Sequence, residues 1–106
     1  MNKISVSIVI ISCIGFTSNY NAQVIVNYTS DNSALPFNTV RCIEWHDEAI
    51  WVGTETGLAQ FQNEQWETYD SGNSELYSDN IRSLKSDGDS LLWIGTMQGG
   101  LFCFDG

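Results

Sequence analysis

The sequence predicts an all-β fold, and an internal repeat carries this prediction. Tyr28–Arg41 recurs as Tyr69–Arg82 at an offset of 41, with an Asn-Ser pair and a Leu in matching places. Trp51–Thr54 recurs as Trp93–Thr96 at an offset of 42, and a Gly-Leu pair followed by a Phe recurs at an offset of 43. A period of roughly 40 to 45 residues is that of a four-stranded propeller blade. We therefore predict β-propeller blades of four antiparallel strands, about two blades in all, and hence an incomplete ring, since closed rings have roughly four to eight.

The first residues, 1–22, predict a secretory signal peptide. Lys3 precedes an apolar run, Ile4–Phe16, that is too short to span a membrane and is followed by polar residues, so cleavage after Ala22 is expected. A second interpretation stays open, because Ile10–Cys13 resembles the lipobox of bacterial lipoproteins. We expect a periplasmic or secreted protein, with a membrane-anchored lipoprotein through Cys13 as the alternative.

The order of apolar runs and turn residues divides the rest of the chain. Residues 23–39 form a leading outer strand, Val24–Tyr28, and a loop, and residues 40–70 form a complete blade. Residues 71–80 are an inter-blade loop, and residues 81–106 are a second blade that lacks its outer strand. The expected strands of the two blades are Val40–Trp45, Ala49–Gly53, Leu58–Gln62, Gln65–Tyr69, Ile81–Ser86, Ser90–Gly95 and Leu101–Phe104.

The second strand of the first blade is apolar on both of its faces. Ile50 and Val52 point one way and Trp51 the other, which is typical of a strand held between two other layers. Stacked blades supply such an environment. We expect Trp51 and its repeat, Trp93, to belong to the core.

Two cysteines follow the predicted signal peptide, and they do not occupy equivalent repeat positions. Cys42 matches Ser83, and Cys103 matches Gln60. A disulfide between them is one interpretation, and the absence of a spacing signature favours the other, which is two buried free thiols.

No cofactor and no metal site are predicted. His46 is the single histidine, and we expect it in a solvated turn. Asp87–Asp89 begins like a calcium loop, but Leu91 and Leu92 stand where such a loop needs an oxygen ligand and a Gly. We interpret these aspartates as turn-forming residues.

The chain is acidic, with a formal net charge of −9, which argues against a nucleic-acid partner. Three carboxylates, Glu44, Asp47 and Glu48, cluster near one turn. Nothing in the sequence indicates burial or a raised pKa for any of them, so we interpret them as a solvated acidic rim and not as an acid/base pair. We therefore predict that the protein is not an enzyme.

Aromatic side chains are the candidates for ligand binding. Trp45 lies beside a predicted loop, and its repeat position holds Ser86, so the indole has no counterpart in the second blade. Tyr77 lies in the long connection between the blades. We predict Trp45 and Tyr77 as ligand-binding residues.

The repeated residues resemble the bacterial two-component regulator propeller repeat. The resemblance rests on Trp-Val/Ile-Gly-Thr, then Gly-Leu and a Phe, with Asn-Ser-x-Leu before Val/Ile-Arg, and it covers essentially the whole chain after the predicted signal peptide. It implies large periplasmic propellers that serve as the ligand-sensing part of hybrid histidine kinases and respond to extracellular glycans, or secreted proteins that lack a kinase. The matching residues are structural, so the resemblance does not extend a signalling role to this chain.

Several functions stay open at this stage. The first is a non-catalytic, sensor-type binding module, secreted or periplasmic, that reads an extracellular glycan or other small ligand. The alternatives are a fragment of a larger propeller sensor, or an enzyme of the propeller lyase type. Closing the ring would need further blades or a homo-oligomer, and Val24–Tyr28 of one copy could then complete the sheet of another copy beside Leu101–Phe104.

Overall fold

The structure, a computed structural model, describes residues 25–105. These residues form two antiparallel sheets and no helix, so the prediction of an all-β fold is confirmed. The predicted signal peptide, the alternative lipid site at Cys13 and the first residue of the predicted leading strand lie outside the described residues.

The first sheet has four strands in chain order and the second has three, and each is one propeller-like blade. The first blade consists of β1 Val40–His46, β2 Ala49–Thr54, β3 Leu58–Gln62 and β4 Gln65–Tyr69. The second blade consists of β5 Ile81–Ser86, β6 Leu91–Thr96 and β7 Leu101–Asp105. The blades approach each other where β1 lies beside β5, so these two strands form the inner edge of the pair.

Tight turns join the strands of the first blade. Asp47 and Glu48 have φ of 53° and 61°, and Asn63 and Glu64 have φ of 52° and 64°. Two consecutive residues with positive φ form a type I′ turn, whose twist matches that of antiparallel strands. Both hairpins are therefore closed by two polar residues.

The two blades share one strand register. Glu44 pairs with Trp51 in the first blade, and Lys85 pairs with Trp93 in the second. A bulge interrupts β1 after Val40, and the same bulge interrupts β5 at the equivalent place. The offset between equivalent residues rises from 41 to 42 across the β1–β2 turn and to 43 across the β2–β3 turn, so the second blade has one extra residue in each of these turns.

The main core lies between the two blades. Trp51 is fully buried, and its ring centroid lies 5.0 Å from that of Phe104 and 5.9 Å from that of Tyr69. The indole Nε1–H of Trp51 donates to the carbonyl of His46 at 3.2 Å. The other buried members of this cluster are Ala49, Leu58, Leu76, Ile81, Leu92 and Ile94. Stacking of the blades is thus driven by burial of apolar side chains from both sheets.

The loops that precede β1 and β5 are stabilised by the same pattern of hydrogen bonds. In the loop before β5, the Asn73 side chain accepts from the Asp70 N–H at 2.8 Å and donates to the Thr68 carbonyl at 3.0 Å. In the loop before β1, Asn32 accepts from the Thr29 N–H at 2.8 Å and donates to the Asn27 carbonyl at 2.9 Å. The first loop therefore binds the backbone of Asn27 as the second binds that of Thr68 in β4.

The predicted leading strand differs from the structure. Its described part, Ile25–Tyr28, forms no strand. By repeat, this segment corresponds to β4, which pairs with β3. The repeat of β3 is β7, and β7 belongs to the second blade. A lone segment cannot form a ladder, because its backbone groups need a neighbouring strand.

Candidate functional site

Trp45 lies near the end of β1 and is 63% exposed. It pairs with Ile50, and its neighbour Glu44 reaches the second blade, where its carboxylate accepts from the Ser86 N–H at 2.6 Å. Because successive side chains of a strand point to opposite faces, Trp45 points away from the second blade. The sequence-based interpretation of Glu44 as part of a solvated rim was wrong, since this partly buried carboxylate joins the two blades.

Tyr77 lies in the connection between β4 and β5 and is 85% exposed. Its ring meets that of Phe102 edge-on, with the centroids 5.8 Å apart. The neighbouring Ser78 hydroxyl donates to the Met97 carbonyl in the β6–β7 turn. This end of the blades is opposite to the hairpin end that carries Trp45, so the two predicted ligand-binding residues do not form one site within the chain.

We expected His46 in a solvated turn, but the structure shows that it is buried. It is the last residue of β1, and its Nδ1 lies 2.8 Å from the Ser86 hydroxyl of the second blade. A single polar partner across the contact between blades satisfies this ring nitrogen. The sequence pattern could not reveal this partner, because the two residues are forty positions apart.

Asp87 forms the turn after β5. Its carboxylate accepts from the backbone N–H groups of Asp89 and Leu91 at 2.8 and 3.1 Å. These hydrogen bonds to the charged form hold the pKa of Asp87 below its ordinary value. Among residues 25–105, no group of three or more His, Cys, Asp and Glu side chains is arranged to hold a metal ion.

An apolar groove lies on the face of the first blade that points away from the second blade. We call it the leading groove, and it has a volume of about 260 Å³. The lining residues come from all four strands of the blade and from the segment before β1. They are Tyr28, Leu35, Val40, Ile43, Ile50, Val52, Phe61 and Trp66.

The opposite outer surface is the face of the second blade that points away from the first. We call it the trailing face; Trp93 on β6 and Leu101 and Cys103 on β7 are exposed there. Trp93 was expected in the core and Cys103 was expected to be buried, and both expectations were wrong. Trp51 is covered by the second blade, whereas no described residue covers the equivalent face of β6. Both Cys42 and Cys103 are free thiols, and Cys42 is half-buried.

The sequence-based search missed the leading groove. The available signal was that Val40 and Ile43 are as apolar as their repeats, Ile81 and Leu84, which implies that the same kind of surface exists on both blades.

No model of a known protein family matches the chain, and no curated protein matches it either. Within the described residues, no helix is long and apolar enough to cross a membrane.

Proposed function

We propose that this chain is a non-catalytic binding module made of β-propeller blades, and that its ligand is a carbohydrate. We further propose that it acts outside the cytoplasm, either secreted or periplasmic, or anchored through a lipid on Cys13. The sequence resemblance to bacterial two-component regulator propellers supports both proposals, since such propellers face the periplasm and read extracellular glycans.

The observation that carries the ligand proposal is the exposed indole of Trp45 on the inner edge of the blades. An indole ring offers a broad apolar face with a polar N–H at its rim, and a sugar ring offers C–H faces with hydroxyls at its rim. The two therefore suit each other by stacking and hydrogen bonding. The net charge of −9 favours neutral glycans over sulfated or uronic ones, since like charges repel.

The lyase alternative gains no support from the position of the single histidine. A general base must reach the proton that it removes. His46 is buried and bonded to Ser86 between the blades, so its ring does not face a surface where a polysaccharide could lie.

The test is a set of calorimetric titrations of the chain with soluble neutral polysaccharides of different linkages, with an anionic polysaccharide for comparison. Trp45→Ala should raise the dissociation constant by about tenfold or more, which corresponds to about 1.4 kcal/mol. Phe37→Ala is the matched control, because Phe37 is also an exposed aromatic residue but lies in the loop before β1. Tyr77→Ala tests the second predicted ligand-binding residue separately.

Solution mass should be measured for each variant, so that a loss of binding can be separated from a change of assembly. Binding that is unaffected by Trp45→Ala, or the absence of binding to every glycan, would contradict the proposal.

A further inference from the structure

We infer that the leading groove is a docking site for a second copy of this chain, which inserts Trp93 of its trailing face. The contact would be head-to-tail: each copy offers its leading groove to one neighbour and its trailing face to the other. The inference rests on observations other than those behind the carbohydrate proposal, but the two surfaces adjoin, because Trp45 lies on the same face of β1 as Ile43.

Exposure at equivalent repeat positions is the first argument. Residues that are buried in the contact between the two blades are exposed at their repeats on the two outer surfaces. The pairs are Trp51 and Trp93 with 1% and 39%, Leu58 and Leu101 with 1% and 67%, and Ile81 and Val40 with 0% and 48%. Each outer surface thus carries one half of a contact that the chain already makes internally.

The groove contains the repeats of the two aromatic residues that contact Trp51. Trp51 packs against Tyr69 and Phe104, whose centroids are 5.8 Å apart. The repeats of those two residues are Tyr28 and Phe61, which line the leading groove with their centroids 5.4 Å apart. The aromatic pair that contacts a tryptophan between the blades is therefore present again in the groove, where Trp66 of the same blade lies beside it with centroids 5.5 Å from Tyr28 and 4.8 Å from Phe61. Trp93 of the next copy would enter the space that Trp66 leaves open.

The glycine that lets the two blades approach closely is repeated as well. A Cβ atom on Gly53 would lie 2.6 Å from Cγ2 of Ile81, so the glycine lets the second blade come close. Gly95 is the repeat of Gly53 and is half-buried on the trailing face, and Val40 is the repeat of Ile81 on the leading surface. Gly95 of one copy can thus receive Val40 of the next.

The N-terminal segment supplies the last argument. The Asn32 and Asn73 loops have the same hydrogen bonds, and Tyr28 packs against Phe61 of the first blade as Tyr69 at the end of β4 packs against Phe104 of the second. In the head-to-tail contact this segment would run beside β7 of the neighbouring copy and become its fourth strand. Ile25, which is highly exposed in the single chain, would then gain a neighbour.

The first blade also fixes the register of that pairing. Gln60 on β3 lies opposite Glu67 on β4. By repeat, Cys103 of one copy lies opposite Val26 of the next. A head-to-tail contact closes into a ring if its rotation permits, and rings of roughly four to eight blades correspond to about two to four copies.

The experiment is a complementation test by light scattering behind a sizing column. Residues 1–106 are expressed with the predicted signal peptide in place, and the product that the host releases is purified. Trp93→Glu blocks the trailing face, and Ile43→Glu blocks the leading surface; both positions are exposed, so neither carboxylate would be buried in a single chain. Leu101→Glu repeats the first block at an independent site.

The parent chain should have a discrete mass of about two to four chains, and each variant alone should fall to the mass of one chain. An equal mixture of Trp93→Glu and Ile43→Glu should give a dimer, because one intact contact remains between the two variants. A monomeric parent chain overturns the inference, because the groove would then be covered by a blade other than that of a second copy. A mixture that stays monomeric, or a variant that leaves the mass unchanged, overturns it too.

Covalent trapping tests the register. The test is made in a Cys42→Ser background, because Ser83 stands at the equivalent position of the second blade. In this background Val26→Cys should form an interchain disulfide with Cys103, because opposite Cα atoms of an antiparallel pair lie within disulfide range. Non-reducing gels should then show chains linked in a ladder or ring, whereas Asn27→Cys, whose side chain would point to the other face, should give none. Equal linking by both variants, or by neither, overturns the register.

Discussion

Gly53 of the first blade lies directly against Ile81 of the second. A Cβ atom on Gly53 would lie 2.6 Å from Cγ2 of Ile81 and 2.5 Å from Sγ of Cys42. Real carbon atoms do not approach so closely, and all three residues lie in strands at the contact between the blades. The spacing of the blades therefore depends on the missing side chain at this position.

Gly53→Ala should destabilise the chain by about 1–3 kcal/mol, because the added methyl group overpacks the contact between the blades. Both changes are made in the Trp93→Glu background, which removes the proposed contact between copies. There Gly95→Ala is the matched control, since its nearest neighbour is the Ser83 hydroxyl on an exposed residue, which can turn to another rotamer. Urea unfolding followed by tryptophan fluorescence measures both. Equal losses in the two variants would contradict this account of Gly53.

Trp51→Ala should cost about 3–5 kcal/mol, because it removes a fully buried indole and leaves a cavity between the blades. Trp45→Ala removes an indole from the same sheet, but an exposed one, and should cost under about 0.5 kcal/mol. Thermal unfolding followed by circular dichroism should separate the two variants clearly. Similar midpoints would mean that the blades do not depend on Trp51.

Ser86→Ala should destabilise the chain by about 1–3 kcal/mol, because it leaves the buried His46 Nδ1 without its partner. Ser90→Ala changes an exposed serine in the turn that follows and should have almost no effect. Urea unfolding at neutral pH is the measurement. A neutral result for Ser86→Ala would show that water or another group satisfies the ring nitrogen.

Stability should fall at alkaline pH. Burial raises the pKa of the Cys42 thiol, and burial together with the nearby Glu67 raises the pKa of Tyr69. A raised folded-state pKa of an acid favours its neutral form in the folded chain. Its stabilising contribution is complete below the unfolded-state pKa, about 8.5 for a cysteine, and is lost as the pH rises through the folded-state value.

The free energy of unfolding should therefore decline above about pH 8.5, and Cys42→Ser should make the decline shallower. Cys103→Ser, which replaces an exposed thiol, serves as the control and should leave the slope of the parent. The measurement is a series of urea titrations across this pH range. An unchanged slope in Cys42→Ser would remove this thiol from the explanation.

The sequence repeat predicts most of the fold, because strand length and turn chemistry are local properties. The strands of both blades begin and end within one residue of the predicted bounds, as with Ala49–Thr54, and both two-residue turns of the first blade fall where the polar pairs stand. Trp51 was correctly assigned to the core, since apolar residues on both faces of a strand indicate two covering layers.

The errors concern residues whose surroundings depend on a neighbouring blade. Trp93 repeats Trp51 in sequence, but its face has no blade over it among the described residues, so 39% of its surface is exposed. His46 has a turn residue as its repeat, yet it is buried because Ser86 reaches it from the second blade. Neither fact follows from local pattern, because each depends on how the sheets stack.

The candidate site is only partly readable from the sequence for the same reason. Trp45 could be singled out because the repeat replaces it with Ser86, and its exposure agrees with a surface role. That Tyr77 lies at the opposite end of the blades follows only from the direction of the strands. The leading groove needs the face of β2 to be placed against the N-terminal segment, which requires tertiary structure.

The two extra residues of the second blade show where a blade tolerates a change of length. Both fall in turns, and strand pairing on either side keeps its register. At one of these turns, a Cβ on Gly88 would meet nothing within 4 Å. A foreign peptide grafted there would be displayed at the rim without shifting a strand, whereas one residue inserted inside β2 would move its side chains to the wrong face. The molecule thus offers a natural insertion point for an epitope or a fluorescent label.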